Sequence, residues 1–99
     1  MSELRPTTKF LNNSEYEQFR HLESEFHEVK REFHNRIDYK LYKEGLSELA
    51  RHHLTIELVD LQMSAETMLA ILGLDEQKRG ELRLKVIAKN EARGYYKEG

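Results

Sequence analysis

No cysteine occurs in the 99 residues. That removes disulfides, thiolate zinc sites and cysteine nucleophiles from the possible chemistries. One proline and five glycines leave few chain breakers, and no stretch alternates polar and apolar residues as a strand does, so an all-α fold is expected. No apolar run approaches the roughly 18–20 residues of a membrane span. Met1-Ser-Glu-Leu-Arg-Pro6 carries no hydrophobic signal region, which makes a soluble cytoplasmic protein the expectation. A net charge of −2 supplies no basic field to draw nucleic acid. What the chain has in quantity is charge of both signs, 34% of residues.

The length predicts one domain, residues 1–99. A core shared among about three helices is thin at this size, and association of subunits is an economical way to cover the apolar faces. Residues 1–12 read as an irregular arm in which Pro6 disfavours helix at Arg5. Phe10 and Leu11 are positioned to dock on the core. Ser14-Glu15-Tyr16-Glu17 has the form of a capping box and predicts a helix start. From there to about Ile37, Phe19, Leu22, Phe26, Val29 and Phe33 repeat at spacings of three and four, an apolar seam expected in the core. Residues 38–45, closing on Gly45, form the expected connection. A second helix from about Leu46 or Ser47 to Leu72 is apolar on most sides, which predicts burial on most sides, and Gly73 ends it. Asp75 caps a third helix ending near 90–93, with 94–99 as a tail.

Two acidic pairs stand out, Glu25-Phe-His-Glu28 and Glu57-Leu-Val-Asp60. Residues at i and i+3 project from one face of a helix. A short connection predicts antiparallel neighbours, and the midpoints of Glu28/Glu57 and of Glu25/Asp60 both fall between Tyr42 and Lys43. At about 1.5 Å of rise per residue the two pairs therefore reach the same height on the hairpin. Glu57 and Asp60 lie in the most apolar stretch, where an ionised carboxylate needs a partner. Two solutions present themselves: salt bridges to His53, Arg51 or a lysine, or a magnesium ion, a hard cation that takes oxygen ligands.

Glu25-x-x-Glu28-Val29 followed by Ile56-Glu57-x-x-Asp60-Leu61 resembles the signature of the MazG-like nucleoside triphosphate pyrophosphohydrolases, in the all-α NTP pyrophosphatase superfamily. The downstream Lys89-Asn90-x-x-Arg93-Gly94-Tyr95 is similar to the ending of small, often phage-borne, members, and the resemblance spans about residues 14–96. It implies a bundle completed by a homodimer or homotetramer. It also implies Mg2+-dependent hydrolysis, with Mn2+ as a substitute, of a nucleoside triphosphate to a monophosphate and pyrophosphate. Glu25, Glu28, Glu57 and Asp60 would ligate metal, Glu25 or Glu28 would act as base, and Lys89, Asn90, Arg93 and Tyr95 would contact substrate. Many members carry another glutamate just before the first pair; this chain has Ser24 there.

The residues taken singly also have plainer readings. Glu81 and Lys85 form an ordinary i, i+4 surface pair, and the five histidines read as surface or hydrogen-bonded groups. Neither acidic pair has the Glu-x-x-His form of a di-iron bundle. A non-catalytic helical dimer that regulates or inhibits a protein partner is the main competing function, and predicts that the carboxylates pair with Arg or Lys. Nucleic-acid binding through the basic third helix is a weaker one, given the acidic balance and the few stacking aromatics.

Overall fold

The computed structural model describes residues 4–42 and 47–96, with side chains described for 4–35 and 48–96. Helices α1 (Glu15–Tyr42), α2 (Ser47–Ile71) and α3 (Glu76–Ala92) follow a short 3-10 turn at Thr8–Phe10, and no strand occurs among the described residues.

Each helix end has a local cause. Ser14 and Glu17 form the capping box: the Glu17 N–H donates to Ser14 Oγ at 3.1 Å and the Ser14 N–H donates to Glu17 Oε1 at 3.0 Å. That pairing holds the Glu17 carboxyl below its ordinary pKa. Asp75 caps α3 by accepting from the Lys78 N–H at 2.9 Å. At the end of α2, Gly73 takes φ 93°, its N–H donates to Ala70 O, and the Leu74 N–H donates to Leu69 O. Gly94, at φ 74°, ends α3 with the same pair of bonds, to Glu91 and Asn90. Both are Schellman ends, where the left-handed residue pairs carbonyls that the helix leaves open.

The first helix extends past the expected Ile37 to Tyr42. Residues 38–42 contain no glycine or proline to stop it. The rest of the expected connection, 43–46 with Gly45, lies outside the described residues, as do 97–99 of the tail.

Contacts between α1 and α2 pair Gln18 with Ser64, Glu25 with Glu57 and Asp60, and Glu32 with His53. The early turns of α1 thus lie beside the late turns of α2. Their shared seam is partly polar. Gln18 is fully buried; its amide donates to Ser64 O at 3.1 Å and Ser64 Oγ at 3.2 Å, and accepts from Asn13 Nδ2 at 3.2 Å. The arm is tied down by the Thr7 N–H, which donates to Thr67 Oγ1 at 2.8 Å, and by the Phe10 ring against His21 at 4.6 Å.

The phenylalanine seam is not where its periodicity alone would put it. Phe19, Phe26 and Phe33 are 52%, 54% and 46% exposed, and Ala50 is the one apolar residue fully buried among the described residues. Facing α2 are Gln18, Glu25 and Glu32 on the adjacent stripe, and Leu22 and Val29 of the seam are half-buried. Periodicity names an apolar stripe but not which neighbour covers it. Here the stripe next to the phenylalanines is the one that lies against α2.

Helix α3 is fastened to α2 through one buried charge. Glu66, 2% exposed, accepts from Arg79 Nε and from Arg83 Nη1 at 2.9 and 3.0 Å, and Arg79 Nη1 also donates to Leu74 O at 2.7 Å. Beyond this anchor α3 carries exposed Leu82, Leu84, Val86 and Ile87.

Candidate metal centre

Helix geometry brings Glu57 and Asp60 onto one face of α2, and the α1–α2 pairing sets Glu25 opposite them. One carboxylate oxygen from each of these three residues lies within 4.8 Å of the other two. Opposite corners of a magnesium octahedron of about 2.1 Å radius are about 4.2 Å apart. Adjacent corners are about 3.0 Å apart, and any three ligands include at least two adjacent pairs, so the three oxygens would draw closer around an ion; the donor set is the all-oxygen kind that magnesium prefers.

No ion pair reaches Glu57 or Asp60 among the described residues. His53, a sequence candidate for neutralising them, faces Glu32 instead at 3.9 Å. Glu25 has His21 Nε2 at 3.4 Å. Among the described residues the negative charge is therefore concentrated without a cation paired to Glu57 or Asp60. Its effect is felt by Glu57, whose carboxyl is pushed above its ordinary 4.5 by burial first, then by Asp60, Glu25, Glu28 and Glu32.

A raised acid pKa means that the folded state holds the proton more tightly than the unfolded state. This contribution to stability is complete below about pH 4.5 and is lost as pH rises through the folded value. Glu57→Gln is accordingly expected to stabilise the protein at pH 7 in EDTA by roughly 0.5–1 kcal/mol, as removal of surface charge repulsion does elsewhere. Any rise in Tm with magnesium in the parent chain should be absent from the same variant. Thermal melts with EDTA and with Mg2+ measure both effects, and a destabilised variant in EDTA would contradict the repulsion.

Glu28 is placed differently from its three companions. Its Oε2 accepts from Arg31 Nη1 at 3.2 Å, and its side chain is 42% exposed. It lies outside the three-oxygen cluster yet adds to the field at Glu57. Ser24, just before the first acidic pair, donates its hydroxyl to His21 O at 2.7 Å and is exposed.

Lys89, Asn90, Arg93 and Tyr95 gather at the end of α3. Arg93 lies over the Tyr95 ring at 5.9 Å, and Asn90 Nδ2 is 3.5 Å from the Tyr96 hydroxyl. Among the described residues, none of the four shares a hydrogen bond, ion pair or cleft with the acidic cluster of the same chain.

A cleft of about 290 Å³ opens beside the cluster and includes Glu25 and Asp60 in its wall. Its other walls come from Thr7 and Phe10 of the arm, Gln18 and His21 of α1, and Met63, Ser64 and Thr67 of α2. The sequence suggests that the arm contributes to a pocket, but its walls depend on how the arm folds back. A weak signal existed: Ser64, Glu66 and Thr67 interrupt the most apolar stretch, and polar groups there need partners. Glu66 in particular carries the same burden as Glu57 and meets it with two arginines.

Comparison with protein-family profiles, with curated proteins and with solved structures gives no match for this chain.

Proposed function

We propose that this chain is a Mg2+-dependent nucleoside triphosphate pyrophosphohydrolase of the MazG-like type, built as an antiparallel helical bundle and active as a homo-oligomer. The observation that carries the reading is the convergence of Glu25, Glu57 and Asp60 with no internal cation on Glu57 or Asp60 among the described residues. Mutual repulsion at such a site is relieved by a bound cation.

Glu25, Glu57 and Asp60 would hold the metal, with Mn2+ able to replace Mg2+. Bound there, the metal would neutralise phosphate charge and lower the pKa of a water. Glu28 stands next to the ligands and outside their cluster, which suits a base that accepts the proton of the attacking water. Lys89, Asn90, Arg93 and Tyr95 would contact substrate across a subunit boundary, since among the described residues they share no contact or cleft with the cluster of their own chain. The exposed phenylalanine stripe of α1 and the apolar side of α3 supply surfaces for such an association.

The same surfaces are what a non-catalytic helical dimer would need to bind a protein partner, and this is the second reading. The two separate in one assay. Purified protein with each common dNTP and NTP and Mg2+ should release pyrophosphate and the monophosphate, and EDTA should stop it. No pyrophosphate from any of the nucleotides would favour the binding module.

A further inference from the structure

The stripes by which α1 and α2 meet run through Gln18, Glu25 and Glu32 on one helix and His53, Glu57, Asp60 and Ser64 on the other. On each helix an apolar seam lies roughly a quarter-turn from that stripe, in the same rotational sense. On α1 the seam is Phe19, Leu22, Phe26, Val29 and Phe33. On α2 it is Leu54, Leu58, Leu61, Ala65, Met68 and Leu72, again at spacings of three and four. With the early turns of α1 beside the late turns of α2, equal rotations lead to the same side of the pair. Both seams therefore share one side. His21 and Met63, which wall the cleft by the carboxylates, are turned in the opposite sense, so that cleft opens on the other side.

The shared apolar side is open in the single chain. Phe19, Phe26, Phe33, Leu58 and Leu72 are each about half exposed, and the remaining seam residues are half-buried. Half of a phenylalanine is about 100 Å², so with the leucines this side presents on the order of 500 Å². Monomers rarely leave more than a few hundred Å² of contiguous apolar surface in water. A standard interface takes about 800 Å² from each partner, so a partner that covers this side and its rim reaches that size.

Two features identify the occupant as a second copy. A seam that repeats every three and four residues is the geometry by which helix packs on helix, and it is present on both helices at once. The occupant is thus itself a pair of helices. The two seams also differ in bulk, with phenylalanine on α1 against leucine and alanine on α2. Dense packing sets large residues against small ones. A two-fold axis parallel to the helices does this, because it lays α1 of each copy on α2 of the other and keeps every residue at its height. Gln18 is level with Ser64, and Glu25 with Asp60. Phe19 of one copy then faces Ala65 of the second copy, and Phe26 faces Leu58 of the second copy.

Deepening the homo-oligomer of the proposed reading, we infer that the chain pairs with a second copy through this side, as a four-helix bundle in which the α1 phenylalanines of each copy seat on the α2 seam of the other. The cleft beside the carboxylates stays open on the far side. Light scattering of the full chain at micromolar concentration should give twice 11.8 kDa. Leu58→Glu should raise the dissociation constant of the dimer at least a hundred-fold. The position is 44% exposed in the single chain, so the helical circular dichroism of the variant should persist. If it does not, Phe26→Lys, at a position 54% exposed, decides by the same readout. The chain has no cysteine, so an introduced one reports without background. Phe26→Cys and Leu58→Cys chains, mixed and oxidised, should form a covalent dimer, and neither should do so alone. A monomeric parent chain, parental dimerisation in the deciding variant, a mixture that stays uncross-linked, or cross-linking of either cysteine variant alone overturns the inference. These readouts need neither nucleotide nor metal. A chain that releases no pyrophosphate yet cross-links in this pattern therefore keeps this interface and is not the proposed enzyme.

Discussion

Asp60→Asn should lower pyrophosphate release by about 10²–10³-fold, the loss typical when one preorganised charge-stabilising group is removed. Asp60 is exposed on the face of α2 that meets Glu25, and it carries one of the three clustered oxygens. Asparagine keeps the shape and removes the charge, so the fold should persist. The melting temperature in EDTA should hold or rise, because, after burial, the charge of Asp60 does most to raise the pKa of Glu57. Magnesium should no longer raise it: a ligand at 100 times its Kd stabilises by about 2.7 kcal/mol, and that increment should disappear. Steady-state release of pyrophosphate and paired melts measure both. A variant as active as its parent would remove Asp60 from the site, and a variant that binds magnesium normally but turns over slowly would move it from ligand to substrate contact.

Glu66→Ala should cost about 3–5 kcal/mol, because it strands the Arg79 guanidinium without its carboxylate. Arg79 is 8% exposed, and its remaining bond is to the Leu74 carbonyl. For a domain whose total stability is of order 5–15 kcal/mol, that loss is large. Arg83→Ala provides the contrast. The Arg83 side chain is 43% exposed, and removing it leaves the Arg79–Glu66 pair intact, so a change near 1 kcal/mol or less is expected. Urea denaturation at one fixed protein concentration checks the difference, since association would otherwise enter the measured stability. Equal costs for the two variants would show that the buried bond does not anchor α3. The expected loss has a functional consequence as well. Lys89, Asn90 and Arg93 sit beyond the anchor on α3, so its release would scatter the basic end that the proposed mechanism brings to the phosphates.

The helix boundaries were largely legible in the residues. Ser14 with Glu17, Asp75, Gly73 and Gly94 each act through bonds to backbone groups within a few positions, so the local sequence is sufficient to specify them. The end of α1 was less legible because nothing stops it locally between Ile37 and Tyr42. The meeting of Glu25 with Glu57 and Asp60 was also legible, since a hairpin with a short connection converts equal distance from its turn into equal height. The companion glutamate was harder. Glu28 shares a face with Glu25, but Arg31 one turn away competes for it, and only side-chain placement resolves that competition.

The sequence by itself determined an all-helical chain, its capping signals, and the register that aligns the two acidic pairs. All of these follow from short-range geometry. Tertiary structure alone decided which stripe of α1 is covered. It set the buried Gln18 on Ser64 and left the phenylalanines outward. It also folded the arm over α1 and α2 to make a cleft beside the carboxylates, and it joined Glu66 to arginines 13 and 17 positions away. Those outcomes depend on competition among distant groups for the same buried space, and no local pattern encodes the winner.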